Sequence, residues 1–219
     1  KYHPHVSNTY HCMNTCCEGQ GTRIYGSLPE YIYSVAKDGV YVDLFSASEI
    51  SYTANKHDIK LKMSTQFPYD PKVEIAVSSE QPAQSKIYIR VPSWAAGEMA
   101  ISVNGSEVGK GKPGSYFLID RKWASNDLIS FTLPMGFRVT KYNGIEKGFE
   151  EGHYAIEYGP VLMAMVGVKG KKIDIGVKTT PETVQSFLKP VAGKPLHFAI
   201  EGNQEFEYCP YYEVQDQQF

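Results

Sequence analysis

Apolar and polar residues alternate with a period of two along most of the chain, and a period near 3.6 occurs only close to its start. In residues 39–45, Val40, Val42 and Leu44 interleave with Tyr41, Asp43 and Phe45, and in 59–63, Ile59, Leu61 and Met63 interleave with Lys60 and Lys62. Successive strand side chains point to opposite faces, so this alternation predicts half-buried strands. Residues 73–77, 86–91, 100–103, 116–119, 128–133, 154–158, 161–166 and 206–214 have the same strand character. Turn chemistry separates them: Pro68-Tyr69-Asp70-Pro71, Asn104-Gly105, Lys112-Pro113-Gly114 and Asn143-Gly144. A type I′ turn needs positive φ at both central residues, so Asn104-Gly105 predicts a hairpin joining Ala100-Ile101-Ser102-Val103 to Ser106-Glu107-Val108. Short strands recurring every 8 to 15 residues or so, without long helices between them, predict an antiparallel sandwich and not a parallel sheet.

Two segments read as helix. Residues 22–34 set Ile24, Leu28 and Ile32 four apart on one face, with a kink or restart expected at Leu28-Pro29 because proline removes a backbone donor. Residues 180–188 carry Pro181 and Glu182 in a first turn and Val184 and Leu188 four apart. After Asn143-Gly144, Lys and Gly become frequent through 167–176, and 169–172 reads as a solvated hairpin tip in preference to an anion-binding loop. The fold class expected is therefore mainly β: a jelly-roll-like antiparallel sandwich over 36–143 with the final strand at 208–219, a smaller β region over 144–207, and a helical segment within 1–35.

Composition narrows the function. The chain has 219 residues, 42% hydrophobic and 21% charged, which is too apolar for disorder. Its 22 Lys and Arg against 24 Asp and Glu leave a net charge of -2, so no basic field awaits a phosphate backbone and nucleic acid is not an expected partner. No apolar run approaches the roughly 18 residues of a membrane helix. The longest, 159–168, is interrupted by Gly167 and contains Pro160. The chain opens at Lys1 with neither an initiator Met nor a signal sequence, from which a missing upstream segment is expected.

Reactive side chains concentrate at the start. Residues 1–22 hold Cys12, Cys16 and Cys17 with His3, His5 and His11. Adjacent cysteines rarely bond to each other because the small ring is strained, so Cys16-Cys17 needs another account. One is a structural disulfide from the pair to Cys12 or Cys209. The other is joint ligation of one soft cation, zinc above all, at a helix start whose unpaired amides favour thiolate. Cys12, His11, His5 and His3 are then loose candidates for further ligands, in a spacing that fits no zinc-finger pattern.

The motifs Thr15-Cys16-Cys17-Glu18-Gly19-Gln20-Gly21-Thr22-Arg23, Leu28-Pro29-Glu30-Tyr31-Ile32-Tyr33 and Gly39-Val40-Tyr41-Val42-Asp43-Leu44-Phe45 resemble the end of the catalytic barrel in glycoside hydrolase family 127, the β-L-arabinofuranosidase family, and its relative family 146. In the same order, Ile89-Arg90-Val91-Pro92-Ser93-Trp94, Ser102-Val103-Asn104-Gly105, the Trp123 segment, Leu133-Pro134-Met135 and Ala155-Ile156-Glu157-Tyr158-Gly159-Pro160-Val161-Leu162 resemble the family's sandwich motifs. The resemblance covers nearly the whole chain.

It implies that residues 1–35 end an (α/α)6 barrel missing from this chain, with β-sandwich domains following. It implies that Cys16 is the nucleophile of a retaining mechanism and a zinc ligand, with Cys17 a second ligand and zinc the cofactor. The family's remaining ligands, a Glu-x-Cys pair, and its acid/base glutamate lie upstream of the double cysteine and are absent here. Glu207-Tyr208-Cys209 has the right residue types but lies downstream, and is read as coincidence with Cys209 a buried apolar residue. Glu18 and Glu30 are explained by roles at the helix start and surface. The implied partner is an oligosaccharide reached through the missing barrel, and the chain alone is expected to be inactive. Zinc thiolates suit a reducing compartment, but a protected site survives outside one, so localisation stays open. The alternative is a non-catalytic carbohydrate-binding or structural sandwich; against it, Trp94 and Trp123 read as packing residues, as do Tyr208, Tyr211 and Tyr212.

Overall fold

Nearly every alternating segment becomes a strand. The computed structural model describes residues 16–141, 154–167, 180–200 and 203–214. They divide into two units, the first drawn from Lys1–Phe67, Lys72–Pro92 and Met99–Thr132, the second from Pro68–Pro71, Ser93–Glu98 and Leu133–Phe219.

The first unit begins with α1 (Cys16–Ser27) and a 3₁₀ turn (Leu28–Tyr31), then runs through β1 (Tyr33–Ala36), β2 (Gly39–Val42), β3 (Ser48–Ala54), β4 (His57–Thr65), β5 (Lys72–Ser79), β6 (Ala83–Val91), β7 (Met99–Val103), β8 (Ser106–Gly111), β9 (Ser115–Trp123) and β10 (Asp127–Thr132). A four-stranded sheet has the order β1-β2-β6-β9, and a six-stranded sheet the order β3-β4-β5-β10-β7-β8. Their inner faces make the core. Val40, Val42, Ile87, Ile89 and Trp123 come from the first sheet, and Leu61, Ile75, Ile101 and Ile129 from the second, all fully buried. The alternation predicted for 59–63 is visible in β4, where Ile59, Leu61 and Met63 are buried and Lys60 and Lys62 are exposed.

Three details refine the sequence reading. The chain does break at Leu28-Pro29, where α1 gives way to the 3₁₀ turn with Pro29 in its first positions. Asn104 and Gly105 have φ of 53° and 79°, the positive values a type I′ hairpin demands. Asn104 also locks the turn to β10, donating its side-chain amide to Asp127 at 2.7 Å and accepting Leu128 N–H at 2.8 Å. The third is a departure: β2 pairs parallel with β6, from Gly39↔Lys86 to Val42↔Ile89, inside an otherwise antiparallel fold. A methyl group on Gly39 would lie 2.0 Å from the Lys86 carbonyl oxygen, so this close approach requires glycine.

The second unit contains β11 (Phe137–Lys141), β12 (Tyr154–Tyr158), β13 (Val161–Val166), α2 (Pro181–Phe187), β14 (Leu188–Pro190), β15 (Phe198–Ile200) and β16 (Asn203–Pro210), in a sheet ordered β11-β12-β13-β16-β15-β14. Here the expected boundaries shift. Residues 137–141 were expected within the 36–143 sandwich and the final strand at 208–219 was expected to join it, yet β11 pairs with β12 and β16 lies between β13 and β15. The reason is non-local: strand character is set by local alternation, whereas the neighbour is set by which apolar faces meet. The predicted helix at 180–188 is α2, capped by reciprocal hydrogen bonds between Thr180 and Thr183. Val184, Phe187 and Leu188 carry it into a core with Ile156, Val161, Phe198 and Tyr208. Asn143-Gly144 and the tip at 169–172 lie outside the described residues.

Candidate functional site

The chemistry singled out in the sequence falls at the head of α1. Cys16 and Cys17 are its first two residues. The first N–H groups of a helix have no intrahelical partner and the aligned peptide dipoles favour negative charge there, so the backbone position suits thiolates. Cys12, His3, His5 and His11 lie outside the described residues. Among the described residues no three His, Cys, Asp or Glu side chains converge on a metal position. Among the described residues the two adjacent cysteines are of the soft, anionic donor type zinc takes, two of the four it needs.

Of the helix face expected from Ile24, Leu28 and Ile32, Ile24 alone lies on α1: Leu28 is in the 3₁₀ turn, Ile32 follows it, and Tyr33 and Ser34, expected as helix, open β1. Ile24 is 56% exposed and Tyr25 74% exposed, and Leu28, Tyr31 and Val35 are exposed beside them. A helix this short draws little stability from propensity alone, so an uncovered apolar face marks α1 as a segment suited to packing against something else.

Past the 3₁₀ turn the chain is anchored by Asp43, which follows β2. Its N–H donates to the Ile32 carbonyl at 2.9 Å, just past the 3₁₀ turn, and its carbonyl accepts from the Arg90 guanidinium at 3.1 Å. Its carboxylate accepts the Ser34 hydroxyl and the Tyr116 phenol, each at 2.5 Å. One residue thus ties Ile32, at the end of the 3₁₀ turn, to β1, β6 and β9. Tyr41 stacks on Tyr88 with centroids 4.1 Å apart and planes 6° apart, and Tyr116 meets Tyr41 edge-on at 5.2 Å. The Gly39–Val42 alternation sends Val40 and Val42 inward and leaves Tyr41 and then Asp43 on the opposite face, a consequence legible in the sequence once the strand is placed. The convergence of Ser34, Arg90 and Tyr116 on Asp43 was not legible, because these residues come from three other strands.

The hydrogen bond to Asp43, with burial second, pushes the Tyr116 phenol up from 10 to about 12. A raised folded-state value means this contribution is complete below pH 10 and is lost as pH rises through about 12. Tyr116→Phe is expected to cost about 1 kcal/mol in denaturant unfolding. It should also remove one late-titrating phenol from an ultraviolet difference titration. An unchanged titration would detach Tyr116 from Asp43.

The other residues weighed from the sequence have structural roles. Cys209 is a free, buried thiol, which removes it as a disulfide partner of the double cysteine, and burial followed by the charges of Glu213 and Glu207 pushes its thiol up. Glu207 is held by Lys194 Nζ at 3.1 Å and by the His197 ring. Burial pushes its carboxyl up, but these two partners more than offset that and it stands below the usual carboxylate range. Trp123 is fully buried and offers no ring to a sugar, while Trp94 is half-buried. Tyr208 is buried as expected, but Tyr211 and Tyr212 are exposed. The set His197, Glu207 and Glu213 escaped sequence reasoning. His197 and the two glutamates are spread over 17 residues with no motif spacing, and only the pairing of β15 with β16 brings His197 near Glu207.

Residues 39–135 match the family model described as β-L-arabinofuranosidase, GH127 middle domain. No curated protein matches the chain. Among solved structures, the chain is similar to Ara127N-Se, a GH127 β-L-arabinofuranosidase from Geobacillus stearothermophilus T6, at 25% identity and a TM-score of 0.61, over 69% of this chain and 24% of that one. A second GH127 β-arabinofuranosidase matches at 26% identity and a TM-score of 0.60, over 69% of this chain and 26% of that one. A structure described as a glycoside hydrolase shares the fold more widely, over 91% of this chain and 37% of that one, with a TM-score of 0.68 at 18% identity. The chain thus spans about a quarter of the length of the two arabinofuranosidases.

Proposed function

We propose, from the match of residues 39–135 to the middle-domain model of glycoside hydrolase family 127, that this chain is the C-terminal part of a zinc- and cysteine-dependent retaining glycoside hydrolase acting on β-L-arabinofuranosides or similar plant-glycan sugars. The observation that supports it is the position of Cys16-Cys17 on the first turn of α1, shortly upstream of the matched residues 39–135. Cys16 and Cys17 would hold the zinc. When bound, zinc keeps a thiol as thiolate near neutral pH.

Cys16 is then the nucleophile. Its sulfur attacks the anomeric carbon, forming a C–S bond as the glycosidic C–O bond breaks, while a carboxylic acid from outside this chain protonates the departing oxygen. Water later displaces the sulfur and returns the thiolate. Within this chain Cys17 would hold the metal beside its neighbour, and α1 supplies the amide ends that favour the charge. Glu30 is an exposed residue of the 3₁₀ turn, and Glu207 is committed to Lys194 and His197; neither serves as the acid.

Elemental analysis with thiol titration on the 219-residue chain tests the reading. The expected result is little zinc, reactive thiols, and no hydrolysis of an aryl β-L-arabinofuranoside. One tightly held zinc per chain would mean that Cys12 or His11 completes the site and that the half-site assignment is wrong. Turnover by the chain alone, lost in Cys16→Ala, would overturn its assigned inactivity.

A further inference from the structure

The second unit contains a cavity of about 480 Å³. We propose that it is a binding site for a neutral carbohydrate chain.

Its volume lies in the range of small-molecule sites. Tyr69, Tyr158 and Phe198 supply aromatic walls. Tyr158 and Phe198 are braced behind by Phe137, with all three ring centroids 4.8 to 4.9 Å apart, so these rings are held before any ligand arrives. The Tyr69 hydroxyl is bonded to Tyr212. Burial alone pushes the Tyr158 phenol up, which keeps it a neutral donor.

The loop between β14 and β15 is built to hold one shape. Val191 N–H donates to His197 O at 2.9 Å, and Lys194 N–H donates back to Val191 O at 3.2 Å. Pro190 and Pro195 fix φ at its two ends. Leu196 adopts φ of 59°, a left-handed conformation rare for a bulky residue, and is itself buried in the unit's core. Strain of this kind persists where surroundings over-determine it, and it marks sites held in shape for a purpose.

Charge decides the ligand class. Lys194 and His197 both line the cavity, yet neither is a free cation. Lys194 Nζ lies 3.1 and 3.2 Å from the two Glu207 oxygens. The His197 ring has Glu207 against Nδ1 and Glu213 3.0 Å from Nε2. Two carboxylates thus balance the two basic groups, and an anion would find no unpaired positive charge. A neutral polyhydroxylated ring suits what is present: apolar C–H faces lie on the aromatic rings, and hydroxyls meet the phenols and the ammonium hydrogens left over from Glu207.

The test is calorimetric titration of the full chain with neutral arabino- and cello-oligosaccharides, and with tri-galacturonate as the anionic comparison. Saturable binding of a neutral oligosaccharide is expected, weakened about tenfold in Tyr69→Ala, a loss of the size one aromatic contact supplies. Tyr69 is half exposed, so this variant keeps the fold. Lys194→Met should weaken binding as well, and Cys16→Ala should leave it unchanged, which separates this site from the proposed catalytic role. Absence of saturable binding at millimolar sugar, undiminished binding in both cavity variants, or a preference for galacturonate would each overturn the proposal.

Discussion

In a hydrolase that contains this chain, Cys16→Ala is expected to lower kcat/KM on an aryl β-L-arabinofuranoside by on the order of 10⁴ or more, the scale on which a covalent mechanism fails without its nucleophile. The loss should fall on kcat, because a thiol that attacks the anomeric carbon contributes to the transition state and little to ground-state binding. Cys17→Ala should differ in kind. On the proposed assignment it removes a metal donor, so zinc content should fall with activity, and high zinc in the assay should restore part of the rate. Glu207→Gln is the control, since Glu207 is committed to Lys194 and His197 and is assigned no part in the chemistry, and its replacement should leave kcat within about twofold. Steady-state kinetics with parallel zinc analysis decides among these, and Cys16→Ala activity above a tenth of wild type would remove Cys16 as the nucleophile.

Trp123→Ala is expected to destabilise the first unit by about 3 to 5 kcal/mol, the cost of emptying a large buried aromatic site. Trp123 is fully buried at the end of β9, its indole N–H donates to the Ser85 carbonyl at 2.9 Å, and the Arg121 guanidinium lies over the ring at 5.3 Å. Truncation leaves a cavity and also a buried carbonyl without its donor. Ser85 is itself buried, with its hydroxyl 3.2 Å from Tyr52 OH, so water cannot easily replace the indole. A domain has about 5 to 15 kcal/mol in total, so much of the margin goes with one side chain. Trp123→Phe keeps most of the volume and loses the hydrogen bond, for an expected cost of about 1 to 2 kcal/mol. Denaturant midpoints measure both, and a Trp123→Ala loss under about 1 kcal/mol would mean that the site collapses around the gap.

The same residues show which links were local. Alternation placed the inward Ile59, Leu61 and Met63 of β4, and positive φ at Asn104 and Gly105 followed from the turn type the pair favours. Thr180, Pro181 and Glu182 announced the start of α2. The motifs pointed to the same family as the model that matches residues 39–135, a stretch that contains Gly39-Val40-Tyr41-Val42-Asp43-Leu44-Phe45 and the sandwich motifs from Ile89 to Met135. Strands β1, β3, β11, β14 and β15 were missed; β1 has no period of two and no buried residue, and β14 and β15 are only three residues long.

By itself, then, the sequence determined the mainly β class, most strand positions, the hairpin turn, the short capped helix and the double cysteine at a helix start. Each depends on residues within a few positions of one another. Tertiary structure alone decided the parallel pairing of β2 with β6, the placing of β11 and β16 in the second unit, the four-way junction at Asp43 and the aromatic cavity beside Lys194 and His197. Those features join residues far apart in the chain, and such partners are chosen by which buried faces fit together, a choice that no local period encodes.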